Sequence, residues 1–194
     1  WSSDVCSSDL RTTLSQDAEW CEIRERGGWR RLRFHDYHEI YERPGLYEYL
    51  FYELLECQSP RRVVGLLGEV RADQGASEPL RVIDLGAGNG IVGQELRAIG
   101  AREIVGIDII DEARMAAGRD LPGVYDDYLV ADMTAPGEAV RKRLRALRPN
   151  ALTCVAALGF DTWTPEGNPS PIVSFAHGRD RDEVEALFEK EGIV

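Results

Sequence analysis

Three carboxylates close apolar runs: Asp84 in Val82-Ile-Asp-Leu85, Asp108 in Ile104-Val-Gly-Ile-Asp108, and Asp132 in Tyr128-Leu-Val-Ala-Asp132. Directly after the first come Gly86, Gly88 and Gly90, at alternate positions. Glycines let a backbone turn sharply and approach a ligand without Cβ obstruction, and the first turn of a following helix offers N–H groups with no partner of their own. A carboxylate presents two acceptor oxygens, the number needed for two adjacent hydroxyl donors of a ribose. The chemistry that these types and spacings suit is the binding of a nucleoside. An ordinary turn between strand and helix, holding no ligand, is the plainer alternative.

The spacing narrows the choice of nucleoside. A dinucleotide turn has the form G-x-G-x-x-G, whereas Gly86-Ala-Gly88-Asn-Gly90-Ile91 places Ile91 where the third glycine belongs. An acid two residues before the first glycine, G-x-G-x-G, and an acid closing the next strand resemble motif I and its successor in class I S-adenosylmethionine (SAM)-dependent methyltransferases. Asp84, Gly86, Gly88, Gly90 and Asp108 carry the match. The resemblance implies SAM as cofactor. It assigns the three glycines to the methionine portion, Asp84 to bracing the turn and favouring a cation, and Asp108 to both ribose hydroxyls. Ile109 would pack on the adenine, Asp132 would accept from the adenine amino group, and the Met133 backbone N–H would meet the ring. Ala156, Ala157 and Leu158 would face the transferred methyl. A NAD-dependent oxidoreductase and a SAM- or nucleotide-binding fragment without turnover are the competing readings.

The implied reaction is an in-line displacement at the methyl carbon. It asks the protein for alignment and desolvation more than for an acid–base dyad. Candidates for proton transfer or for covering the cofactor lie ahead of the glycine turn: His35, Tyr37, His38, Tyr41 and Tyr47, with His38 and Tyr41 foremost. A partly buried amphipathic helix would account for these aromatics equally well. No Asn-Pro-Pro-Tyr-like tetrapeptide follows the fourth strand, where amino-methylating nucleic-acid enzymes of this fold carry one.

Elements that must position these groups follow from periodicity. Helices are expected over about Gly45 to Cys57 and Pro60 to Val70. Thereafter strands Arg81–Leu85, Ile104–Ile107, Tyr128–Ala131 and Ala151–Leu158 alternate with helices Ile91–Ile99, Glu112–Arg119 and Glu138–Leu147. Regular β-α alternation predicts an α/β, Rossmann-like, mostly parallel sheet with helices on both faces, and the ligand at the carboxyl ends of its strands. Beyond Phe160 too few residues remain for the further strands of the seven-stranded methyltransferase fold, so the sheet is expected to be incomplete.

The formal net charge of −11 argues against nucleic acid as a partner, because that binding rests on Lys and Arg neutralising phosphates. With the absent tetrapeptide it favours a small-molecule methyl acceptor. Cys21, Cys57 and Cys154 show no metal-ligand spacing with the three histidines, which fits a reduced, cytoplasmic protein. No stretch approaches a membrane span. Residues 1–10 resemble a translated sequencing adapter, residues 11–33 read as a polar arm or more imported sequence, and residues 34–160 make up the expected domain. Residues 161–194 read as a strand–helix tail. Within it, residues 169–194 resemble the small C-terminal domain of class V aminotransferases, so a chimera of separate genes is one expectation.

Overall fold

The computed structural model describes residues 5–7, 19–155 and 157. The chain divides into two units, Trp1–Cys57 and Gln58–Val194. In the first, β1 (Val5–Ser7), β2 (Trp20–Glu25) and β3 (Gly28–Arg33) form an antiparallel sheet in the order β1-β2-β3. Part of the expected polar arm is therefore a hairpin. Cys21 and Ile23 on β2 and Leu32 on β3 are buried while their neighbours are not, the alternation that a half-buried strand requires. Glu25 pairs with Gly28, whose φ of +121° suits glycine at the tight turn.

Helix α1 (Tyr37–Tyr41) and the short α2 (Leu46–Glu48) follow. The expected helix from Gly45 to Cys57 departs from α geometry after three residues, and Tyr49–Leu54 is π-helical. Leu46 and Leu50 join Cys21, Ile23, Leu32, Phe34 and Ile40 in one core.

The second unit opens on α3 (Ser59–Asp73) and then alternates β4 (Arg81–Leu85), α4 (Ile91–Ala98), β5 (Glu103–Asp108), α5 (Asp111–Asp120), β6 (Asp127–Val130), α6 (Glu138–Leu147) and β7 (Ala151–Cys154). These match the expected elements to within one or two residues, except that α3 runs three residues past the expected Val70 and β7 ends four residues before the expected Leu158. The four strands pair in parallel in the order β6-β5-β4-β7, with β4 in the interior. The fold is α/β and Rossmann-like. The chain steps from β4 through β5 to β6 and then crosses back to β7, so right-handed connections place α4 and α5 on one face and α6 on the other.

Alternate residues of β4 and β5 feed two cores. Ile83, Leu85, Val105 and Ile107 pack with Leu144 and Leu147 of α6, whereas Val82 and Ile104 pack with Val64 of α3 and Val92 and Leu96 of α4. The resemblance of residues 169–194 to an aminotransferase domain falls outside the described residues, as do Ala156 and Leu158.

Candidate functional site

The glycine turn leaves β4 and enters α4 with Gly86, Gly88 and Gly90 at φ of +71°, +53° and +104°, a region L side chains rarely adopt. Its N–H groups are used within the fold. Gly86 and Ala87 donate to the Ile107 carbonyl at 2.8 and 3.0 Å, and Gly90 donates to the Ala87 carbonyl at 3.1 Å. Gly88 donates to Asp108 Oδ2 at 2.9 Å. A ligand would consequently meet the rest of this turn, and not these N–H groups, contrary to a simple cradle of free donors.

Asp108 closes β5 beside the turn. Its second oxygen, Oδ1, accepts the Ile110 N–H at 3.0 Å. Burial raises its pKa, and the backbone N–H groups of Gly88, Ile110 and Ile109 oppose that rise. The four lone pairs of the carboxylate outnumber these three donors, so it remains able to accept a further bond. Next to it Ile109 is 53% exposed, and Val130, in register with Asp108 on β6, is 40% exposed. Two large apolar side chains thus stand in water at the carboxyl ends of β5 and β6. Val130 had no place in the sequence reading.

Asp84 occupies a different environment. It is fully buried, and its carboxylate accepts the Tyr125 hydroxyl at 2.7 Å and the Thr153 hydroxyl at 2.8 Å. Burial pushes its pKa up to about 7; the two hydroxyls oppose this and the Asp108 charge adds to it. The hydroxyls it holds belong to Tyr125 and Thr153, outside the glycine turn, and near neutrality the side chain is weakened as a fixed anion. Cys154 on β7 is likewise pushed up to about 12 by burial, with the Asp84 charge adding to it, so it is a thiol and not a thiolate.

Register explains how Asp84 acquires its partners. Tyr128 of β6, Gly106 of β5, Asp84 of β4 and Thr153 of β7 form one row across all four strands. Gly106 leaves room in that row for the Tyr125 ring: a Cβ there would lie 3.1 Å from it. Tyr125 also reaches the Ala87 carbonyl at 3.2 Å, and the Tyr128 hydroxyl donates to the Gly88 carbonyl at 2.7 Å. Sequence reasoning missed both tyrosines. Acids at strand ends carry a signal of their own, whereas a tyrosine ahead of a strand or inside one carries none until register is known.

The remaining expected residues are placed as follows. Asp132 is exposed, and its Oδ1 accepts the Thr134 N–H at 2.9 Å, closing a local turn. The Met133 side chain is buried in the core beneath α6, which leaves only its main chain for a ligand. Ala157 passes so close to the turn that a Cβ on Gly86 would lie 2.0 Å from its own Cβ. Gly86 is therefore required by a neighbouring segment of chain whatever else it serves. His38 and Tyr41 belong to the N-terminal unit; His38 is exposed, and Tyr41 is buried against the rings of Tyr37 and Tyr47, with centroids at 6.1 and 5.0 Å.

A depression of about 380 Å³ lies between α5 and the chain entering β6, lined by Arg114, Gly118, Leu121, Val124 and Tyr125 among others. None of the expected cofactor residues lines it. Among the described residues no cluster of His, Cys, Asp and Glu is placed to hold a metal ion, and no helix is long and apolar enough to cross a membrane.

Fold and site together define a Rossmann-like α/β chain with an acid-flanked glycine turn at the carboxyl end of an interior strand. No protein-family model and no curated protein matches the sequence. Two solved structures are similar in part. One is the Thermoplasma acidophilum protein 1320, 28% identical over 39% of this chain and 40% of that one, with a TM-score of 0.31. The other is a ribosomal protein L11 methylase from Lactobacillus delbrueckii subsp. bulgaricus, 20% identical over 66% of each chain, with a TM-score of 0.34. The chain spans less than two thirds of the length of either.

Proposed function

We propose that the Gln58–Val194 unit binds SAM at the glycine turn and serves methyl transfer to a small-molecule acceptor. The observation that carries the proposal is Asp108. Its carboxylate is fixed by the backbone N–H groups of Gly88, Ile110 and Ile109, keeps acceptor capacity beyond them, and adjoins the exposed Ile109 side chain. That combination suits a ribose diol followed by a flat apolar base.

The same geometry argues against a pyrophosphate. The N–H groups of Gly86, Ala87, Gly88 and Gly90 have partners, and one of those partners is itself a carboxylate. A phosphate placed there would lose the donors it needs and face Asp108. A cation would not.

When bound, SAM supplies a methyl group on a sulfonium that an acceptor displaces in line. This chain's residues would hold and orient. Asp108 would accept from the two ribose hydroxyls, and Ile109 would pack on the adenine. Asp132, exposed with Oδ2 turned from its local bond, would accept from the adenine amino group. Met133 would donate its N–H. The turn of Gly86, Gly88 and Gly90 would carry the methionine portion. The acidic net charge of −11 supports a small acceptor over nucleic acid. Cys21 and Cys154 are in no disulfide, which supports a reduced compartment such as the cytoplasm.

Thermal melts with and without S-adenosylhomocysteine (SAH), on the parent and on Asp108→Ala, test the proposal. Ligand at about a hundred times its dissociation constant adds roughly 2.7 kcal/mol, a shift of several degrees for a domain of this size. The parent's melt is expected to move and the variant's to stay. A parent melt indifferent to SAH overturns the proposal, and one moved by NAD(H) instead replaces it with a dinucleotide site.

A further inference from the structure

Two consecutive carbonyls of the glycine turn, Ala87 and Gly88, are each met by a tyrosine hydroxyl, the first from Tyr125 just ahead of β6 and the second from Tyr128 within it. The two rings pack edge to face with centroids 5.3 Å apart. Glycines clear the space for them. A Cβ on Gly93 of α4 would lie 2.8 Å from the Tyr125 ring, and one on Gly106 of β5 would lie 3.1 Å from it. Ring volume alone would be supplied by phenylalanine. The hydroxyls add something different, because each ends on a polar group of the turn or on Asp84 beneath it.

We infer that Tyr128 and Tyr125 are positioning residues for the glycine turn: their hydroxyls draw the Gly88 and Ala87 carbonyls inward and so fix the face that Gly86 to Gly90 present to a ligand. The inference rests on the reading of that turn as the SAM site. A peptide flanked by glycine rotates at little steric cost, so a carbonyl there needs an external tie to stay in one orientation. Tyr128 ties the Gly88 carbonyl at 2.7 Å, while the N–H of the same residue is tied to Asp108 at 2.9 Å. Both sides of Gly88 are therefore held, one by a ring from β6 and one by the acid proposed to hold the ribose.

Tyr125 has a second duty. Its single hydroxyl hydrogen is shared between Asp84 at 2.7 Å and the Ala87 carbonyl at 3.2 Å. Asp84 also faces Thr153 and Cys154 from β7, Asp108 from β5 and Tyr128 from β6. Removing the Tyr125 hydroxyl leaves the carboxylate one donor fewer, which favours its protonated form and displaces its titration upward.

The test compares the full chain with Tyr128→Phe and Tyr125→Phe. SAH affinity is measured by calorimetry from pH 6 to 8.5, and amide hydrogen exchange of residues 86–90 is measured without ligand. Loss of one such bond corresponds to a weakening of about three- to tenfold in SAH affinity for Tyr128→Phe, with its melting temperature close to the parent's. Exchange at Gly86 to Gly90 should quicken while that at Leu96 and Val105 holds. In Tyr125→Phe the pH midpoint of SAH affinity should also rise. Should Tyr125→Phe fail to fold, Tyr128→Phe decides, since its hydroxyl is bonded to the turn and not to Asp84. Parent-like exchange at residues 86–90 overturns the inference, as does parent-like SAH affinity in Tyr128→Phe. A parent that ignores SAH removes the cofactor reading, and the exchange result alone then decides whether the tyrosines hold the turn.

Discussion

A β-carbon placed on Gly93 would fall 2.8 Å from the Tyr125 ring, although Gly93 sits inside α4 where alanine is ordinarily the better residue. The ring has no easy retreat, because its hydroxyl is bonded to Asp84 and its edge lies against Gly106. Gly93→Ala should therefore destabilise by about 1–3 kcal/mol. Gly118→Ala in α5, where nothing lies within 4 Å of the new methyl, should stabilise by about 0.5–1 kcal/mol. Urea midpoints for the two variants, moving in opposite directions, check the argument.

Asp84 makes stability depend on pH in an unusual sense. Its folded pKa of about 7 lies above the ordinary 3.8, chiefly because it is buried, so the native chain holds this proton more tightly than the unfolded chain. The stabilisation is complete below pH about 3.8, declines as pH rises, and is gone above about 7. Asp84→Asn can still accept one hydroxyl and donate to the other, and should flatten this slope. Urea unfolding of parent and variant between pH 4.5 and 8 measures it; parallel slopes would contradict the assignment.

Gly86 combines a positive φ with the close approach of Ala157. Gly86→Ala is expected to be costlier than Gly118→Ala is beneficial, by at least about 2 kcal/mol. Part of that loss is steric and part is backbone strain. Adding Ala157→Gly should recover the steric share and leave the strain, so a double-mutant cycle should show a coupling of about 0.5–3 kcal/mol.

Arg97 joins α4 to the chain that carries Tyr125. Its guanidinium donates to the carbonyls of Val124, Ala101 and Arg102 and to Asp126, whose Oδ2 also takes the Ile104 N–H at 2.7 Å. Burial works against the Asp126 carboxylate, but the Ile104 N–H and Arg97 outweigh it and hold its pKa below the ordinary value. Its stabilisation is thus present at neutral pH and lost as pH falls. Arg97→Met should lower stability by about 1–3 kcal/mol at pH 7. The gap to the parent should narrow toward pH 3 in acid-unfolding curves.

The sheet of the second unit was legible because its strands are apolar runs, three of them with an acid at or beside the end, separated by amphipathic helices of ordinary length. Asp84 and Asp108 stood out for the same reason, and both adjoin the glycine turn. The hairpin of β2 and β3 was overlooked although Cys21, Ile23, Leu32 and Phe34 alternate with polar residues about Gly27 and Gly28. The density of arginine and glutamate in those strands hid that period. The π-helical turn over Tyr49–Leu54 leaves no mark in a pattern of apolar spacing. Thr153, Gly106 and Tyr128 could not be linked to Asp84 from sequence, because a row across four parallel strands joins positions that only register brings together.

Strand order also governs how the chain must assemble. Strand β4 is the first of the parallel sheet to be made and lies in its interior, yet the Thr153 hydroxyl that bonds Asp84 comes 69 residues later. During synthesis at about 5–20 residues per second, the apolar edge of Arg81–Leu85 stays bare for several seconds before β7 exists to cover it. Contacts of such sequence separation are also the slow ones to form. In the nascent chain, β4 is thus the strand most exposed to mispairing, and chaperone protection would matter most in the interval between its emergence and that of β7.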